Sequence, residues 1–179
     1  MPARLSVSKY LRGPETLRRR ELEWGRVREP PAPFYGHQVL VTRLAVLLDR
    51  HVSSRSLGQV VVSPIDVVLD AERGLVVQPD VVFIAPDRAS LVRNQIWGAP
   101  DLVIEVLSAG TAERDRTRKL GWYERYGVRE CWIVDPANRR IEIHVFGPSA
   151  GVRWCELDGR VRSAVLPRLR SRVATVFRD

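Results

Sequence analysis

Two acidic residues stand inside runs that otherwise read as buried strands, and they constrain the fold more than any other feature. Asp80 lies in VVQPDVVFIA and Glu105 in DLVIEVLS, each flanked by β-branched residues that suit a buried sheet position. A buried carboxylate without a partner costs several kcal/mol, so each needs a cation, a hydrogen-bonding partner or a raised pKa. Two such acids on neighbouring strands are met most economically by a divalent-metal site. The blander alternatives are a strand-end aspartate that caps a loop and a glutamate paired with an arginine. Asp101 belongs to the same strand as Glu105 and to the same face, but four residues earlier, roughly 13 Å away at about 3.3 Å per residue. One ion cannot serve both, and Asp101, following Pro100, reads as a strand-start or turn residue.

Around these acids the chain divides into short, well-marked elements. PETLRRREL over 14–22 predicts a helix that opens on a proline, and EWGRVREPPAPFYG reads as a short strand and turn. Val39, Leu40, Leu44, Leu47 and Leu48 recur at helical spacing and predict the main amphipathic helix over 35–51. QVVVSPIDVVLD, GLVVQPDVVFIA and PDLVIEVLS follow as strands, then a helix over 111–126, capped by Thr111 and closed by Gly127. ECWIVDP-ANRR-IEIHVF and VRWCELDG-RVRSAVL each predict a hairpin, because Asp135-Pro136 and Asp158-Gly159 are turn dipeptides. With 179 residues, no repeat and no linker, the expectation is a single α/β domain over 1–179, built on a mixed central sheet flanked by helices.

Composition narrows the function classes. Hydrophobic residues at 45% and charged residues at 28% are those of an ordinary globular protein, which removes disordered and collagen-like classes. No apolar run reaches the roughly 18 residues of a membrane span, and the N-terminus carries no secretion signal, so the cytoplasm is the expected location. Cys131 and Cys155 supply neither a disulfide framework nor a zinc cluster. The formal charge of +8 favours a polyanionic partner such as nucleic acid. Of 29 basic residues only Lys9 and Lys119 are lysines. Lys119, within RDRTRKLGWY, therefore marks a position that calls for a compact ammonium, unless it is only the i, i+4 partner of Asp115. Tyr123, one turn on, either lines a site or packs. His51 and His144 share no ligand spacing and read as structural or solvent-exposed. Trp24, Trp97, Trp122, Trp132 and Trp154 are scattered, which argues against a single-strand binder with a stacking platform.

QPDVVFI, GAPDLVIEVLS, TAERDRTRKLGWYERYGVRECWIVDP and RRIEIHVF, with RRRELEWGRVREPPAPFYGHQVLVTRLAVLL ahead of them, closely resemble the Uma family, whose members resemble restriction endonucleases of the PD-(D/E)xK type. The resemblance covers about residues 15–177. It implies a restriction-endonuclease-like fold, a mixed β-sheet flanked by helices, with a metal-dependent phosphodiesterase site at a sheet edge. Carried over, Asp80 is the motif aspartate and Glu105 the second acid. The motif lysine would stand two residues after the glutamate, where this chain has Leu107; Lys119 of the following helix takes its role. Glu21 matches an N-terminal glutamate that would add a metal ligand, and His37 matches a histidine at the head of the long helix. Tyr123 is a further accessory candidate. Oxygen ligands of this kind suit Mg²⁺ or Mn²⁺. The implied function is an endonuclease acting on DNA, working as a homodimer; the alternative is an inactive nuclease-fold protein that binds nucleic acid or a protein partner.

Overall fold

The computed structural model describes residues 4–108, 110 and 112–178. In chain order it holds α1 (Val7–Leu11), β1 (Glu21–Glu23), β2 (Arg26–Arg28), α2 (Tyr35–Ser53), β3 (Gln59–Val62), β4 (Val67–Asp70), β5 (Leu75–Val77), β6 (Val81–Ile84), β7 (Ile96–Trp97) and β8 (Leu102–Val106). A continuous helical stretch follows: α3 (Ala112–Arg114), a π turn (Asp115–Lys119) and α4 (Leu120–Tyr126). The chain ends with β9 (Glu130–Asp135), β10 (Arg140–Val145), β11 (Gly151–Cys155), β12 (Arg160–Val161), β13 (Ser171–Arg172) and α5 (Val173–Val176).

Two mixed sheets form the frame. The larger has the order β11-β10-β9-β8-β6-β3, the smaller β2-β1-β5-β4-β7. All neighbours in the larger sheet are antiparallel except β8 and β9. A parallel pair cannot be joined by a tight turn and needs a crossover. The helical stretch from α3 to α4 is that crossover, so the topology lays it over one face of β8.

Side-chain alternation gives the large sheet two buried faces. Val81, Phe83, Leu102, Ile104, Trp132 and Val134 point to the side covered by α2, through Leu40, Leu44 and Leu48, and by the C-terminal segment around Leu166, Val173 and Val176. Val82, Ile84, Val103, Leu107, Cys131 and Ile133 point to the other side, against Val67, Leu75 and Val77 of the smaller sheet and Tyr123 of α4. Leu44 and Leu48 are fully buried, and each contributes about 1.5–3 kcal/mol by leaving water. By the same period of two, Asp80 shares a face with Val82, and Glu105 shares it with Val103 and Leu107. Both acids therefore point to the side that the crossover helix covers.

The long helix, the β8 run and the 130–145 hairpin lie where their sequences place them, while the runs QVVVSPIDVVLD and GLVVQPDVVFIA each divide into two strands, one in each sheet. Other expectations need correction. The stretch 14–22 is not a helix: residues 14–20 are irregular and Glu21 and Leu22 belong to β1. Leu22 is fully buried against β5, and Arg19 and Arg20 are drawn to Gln78 and Asp80, so tertiary contacts override a helical pattern. VRWCELDG-RVRSAVL is not a hairpin either. β11 pairs with β10, and β12 pairs with β13; the chain does turn at Gly159, whose N–H donates to Glu156 O at 2.8 Å. The frame is two mixed sheets where one central sheet was expected. The cap assigned to Thr111 lies outside the described residues. Gly127 closes α4 as expected, in the left-handed region at φ 88°. No described helix is long and apolar enough to cross a membrane.

Candidate active site

Pairing of β6 with β8 sets Val81 opposite Ile104, so Asp80, one residue before β6, falls level with Glu105. A backbone-to-side-chain bond holds the carboxylate there: Val106 N–H donates to Asp80 Oδ2 at 2.7 Å. His37 Nε2, from the first turn of α2, lies 3.3 Å from the same oxygen. Asp80 Oδ1 accepts from Arg19 Nη1 at 2.7 Å. Burial pushes the Asp80 carboxyl up, and His37, Arg19 and the Val106 amide more than reverse this, holding it below the usual carboxylate range.

Glu105 sits one strand over, 1% exposed. Its Oε1 accepts from Lys119 Nζ at 2.8 Å and from the Tyr123 hydroxyl. Among the described residues no hydrogen bond reaches Oε2. Burial drives the Glu105 carboxyl up; Lys119 opposes this, Asp115 and Asp80 add to it, and the outcome is about 7.

Lys119 comes from the crossover helix. The π turn matters because it winds less per residue than the α4 turn after it, so the drift across Asp115–Lys119 and the drift across Lys119–Tyr123 oppose one another. Asp115, Lys119 and Tyr123 are all buried on one side of the helix as a result. The Lys119 ammonium lies 2.9 Å from Glu21 Oε1, 2.8 Å from Glu105 Oε1 and 3.7 Å from Asp115 Oδ1. Burial favours its neutral form, but these three carboxylates prevail and hold it charged. The pair with Asp115 exists, but as the longest of three contacts rather than as an exposed surface pair.

Glu21 reaches the site from β1 of the smaller sheet. Its Oε1 accepts from Gln78 N–H at 3.0 Å, and its Oε2 from Arg114 Nη2 at 2.5 Å. Burial raises its carboxyl, Lys119 and Arg114 more than offset that, and it is held at about 2. Arg114 also bonds Glu23, tying the crossover helix to the small sheet. Leu107, in the place of the motif lysine, is buried on the face that carries Glu105, so the ammonium of Lys119 is delivered to that face from above.

These side chains border one cleft of about 200 Å³, walled by Asp80, Glu105, Glu21, Lys119, Arg19 and His37. Tyr123 stands behind it, its hydroxyl pinned on Glu105. Asp101 is elsewhere: it accepts from Ala85 N–H at 2.8 Å and Arg129 at 2.6 Å. His51 Nε2 donates to Pro167 O at 3.0 Å, and His144 pairs with Glu142; neither lines the cleft. Sequence reasoning passed over Arg19, Arg114 and Gln78. An arginine in an RRR run of an arginine-rich chain carries no signal that separates it from its neighbours.

The donor set suits a hard divalent cation. Carboxylate oxygens from two registered strands converge on one cleft, and each already collects positive charge: Arg19 on Asp80, Lys119 on Glu105 and on Glu21. Among the described residues no three His, Cys, Asp or Glu side chains surround a common point as they stand. Mg²⁺ needs no such cage, since one or two carboxylates with waters and substrate oxygens are enough.

Known proteins share this frame. A solved structure titled a "putative nuclease belonging to DUF820", from Anabaena variabilis ATCC 29413, matches with a TM-score of 0.81 at 18% identity, over 97% of this chain and 97% of that one. The likeness shows a common fold. A search of curated proteins finds no match. The model of the Uma2 family, described as "Putative restriction endonuclease", matches residues 7–173. With nearly the whole chain and every residue of the cleft inside that match, the protein belongs to the Uma2 family.

Proposed function

We propose that this protein is a divalent-metal-dependent endonuclease that hydrolyses DNA phosphodiester bonds. The observation that carries the reading is the pairing of two buried carboxylates on adjacent, registered strands with a buried ammonium supplied by the crossover helix. In this reading Asp80 and Glu105 hold Mg²⁺ or Mn²⁺, with Glu21 as a further ligand. A cation bound there supplies Lewis-acid polarisation of the scissile phosphate. Lys119 contributes a fixed positive charge that orients the attacking water through Nζ and offsets charge developing on the phosphate oxygens. Tyr123 and Asp115 are positioning residues, one fixing Glu105 and the other the ammonium. His37 fixes Asp80 Oδ2 with the Val106 amide, leaving Oδ1 to Arg19. The net charge of +8 supports a polyanionic substrate. The proposal includes a homodimer.

The test is plasmid nicking by purified protein with Mg²⁺ or Mn²⁺. Wild type should nick, chelation by EDTA should stop it, and Asp80→Asn and Glu105→Gln should be inactive while folded. Folded wild type that nicks with neither metal would overturn the reading in favour of an inactive nuclease-fold binder.

A further inference from the structure

We propose that Arg19 is a built-in competitor of the metal ion: a tethered cation that holds Asp80 Oδ1 until a divalent cation displaces it. This rests on the reading of Asp80 as a metal ligand. Asp80 has two oxygens with different fates. Oδ2 is held by the sheet itself, through Val106 N–H at 2.7 Å, and by His37 at 3.3 Å. Among the described residues Oδ1 accepts from Arg19 alone, at 2.7 Å. The oxygen that the sheet leaves free is thus the one the guanidinium covers.

Arg19 is poorly suited to be a permanent fixture there. A structural buried arginine has its donors satisfied, since an orphaned polar group costs about 1–3 kcal/mol. Here Nη2 donates to Gln78 O at 2.5 Å, yet Nε is buried with no partner among the described residues. Its attachment is lightly held on one side: residues 12–18 before it are exposed and irregular, while Arg20 after it is fixed, its N–H donating to Gln78 Oε1 at 3.0 Å. The side chain alone has to swing for Oδ1 to be released. In its present position it neutralises a carboxylate that would otherwise be buried without a partner on that oxygen. Arg19 therefore keeps the apo site stable and weakens metal binding by the same contact.

The consequence is a tax on affinity. If the guanidinium covers Oδ1 about nine-tenths of the time, the apparent Kd for metal is raised about tenfold. The probe is Mn²⁺ itself, its free concentration read by electron paramagnetic resonance, with chelator-stripped full-length wild type, Arg19→Met and Asp80→Asn. Arg19→Met should bind Mn²⁺ about tenfold more tightly than wild type. Without metal it should melt lower than wild type, and saturating Mn²⁺ should close that gap. If Arg19→Met binds Mn²⁺ no better than wild type, or its melting deficit persists in Mn²⁺, Arg19 is a plain structural partner and the proposal falls. Loss of binding in Asp80→Asn would in that case leave the metal site itself standing. Mn²⁺ binding that is absent from every variant, or unaffected by Asp80→Asn, overturns both. Should Arg19→Met not fold, Arg19→Lys replaces it: the shorter ammonium gives up the fork, so tighter Mn²⁺ binding than wild type supports the proposal and unchanged binding overturns it.

Discussion

One of only two lysines in an arginine-rich chain and an acid in each of two apolar strands are the residues on which the proposed chemistry turns. Lys119 is 1% exposed and fills a space bounded by Glu21, Glu105 and Asp115, sized for an ammonium. Arginine there would overpack the site at a cost of about 1–3 kcal/mol, and its planar fork cannot reproduce one point charge shared by three carboxylates. Lys119→Arg should therefore lose plasmid nicking as fully as Lys119→Ala. Lys119→Ala should also lower stability by about 3–5 kcal/mol, read by urea unfolding, because it strands buried carboxylates; nicking at wild-type rate by the arginine variant would refute the catalytic role. Another buried acid, Glu130, tests the electrostatics away from the cleft. Its carboxyl is raised by burial, against hydrogen bonds from Trp132 Nε1 at 2.5 Å and Ala164 N–H at 2.5 Å. An acid whose folded pKa is raised binds a proton more tightly in the folded state. Its stabilising contribution is present below the unfolded value near 4.5 and is lost as pH rises through the folded value. Glu130→Gln should remove that part of the decline in urea midpoint above about pH 4.5, and an unchanged slope would contradict it. At this scale much was legible in the sequence: Asp80, Glu105 and Lys119 each break a local rule of burial or composition. Glu21 and His37 break none and stood out only by family resemblance, and Arg19 is one arginine among many.

The crossover helix is the element that assembles the site. A parallel β8–β9 pair demands a covering connection, and the π turn within it sets Asp115, Lys119 and Tyr123 on one side. Deleting the exposed Thr117 from that turn restores an unbroken α path and shifts Arg114 and Asp115 by a residue relative to Lys119. Since displacement of about 1 Å costs about 100-fold in rate, nicking should fall by at least about that factor with far-UV circular dichroism unchanged; retained activity would show that the π turn is incidental. The sequence predicted a helix over 111–126 but not its π turn, because a 3.6-residue pattern tolerates one wider turn without changing which residues are apolar. The supposed helix over 14–22 failed for a different reason. Leucine and arginine in alternation fit a helix locally, but Leu22 has a fully buried strand position available and Arg19 has a carboxylate to meet, and neither partner is visible within the window.

Across the whole molecule, two sheets and the crossover helix each contribute to one cleft: β6 and β8 bring Asp80 and Glu105, β1 brings Glu21, and the π turn brings Lys119. The mixed α/β fold class was legible from strand runs separated by helices, whereas the division into two sheets was not, because pairing between β1 and β5 joins segments about fifty residues apart. The large sheet ends at β11, an edge strand carrying the half-exposed Val152 and Trp154, and an uncovered edge is a template for pairing with a second chain. The proposed homodimer should give twice the 20.4 kDa chain mass by light scattering at micromolar concentration, and the monomer mass alone would count against it. The divalent-metal site itself is tested most directly by the anomalous signal of a crystal soaked in Mn²⁺. A peak should stand in the cleft about 2.1 Å from an oxygen of Asp80 and from one of Glu105, with the Arg19 guanidinium withdrawn from Oδ1. A cleft without a peak at saturating Mn²⁺, or a peak bound by neither carboxylate, would contradict it.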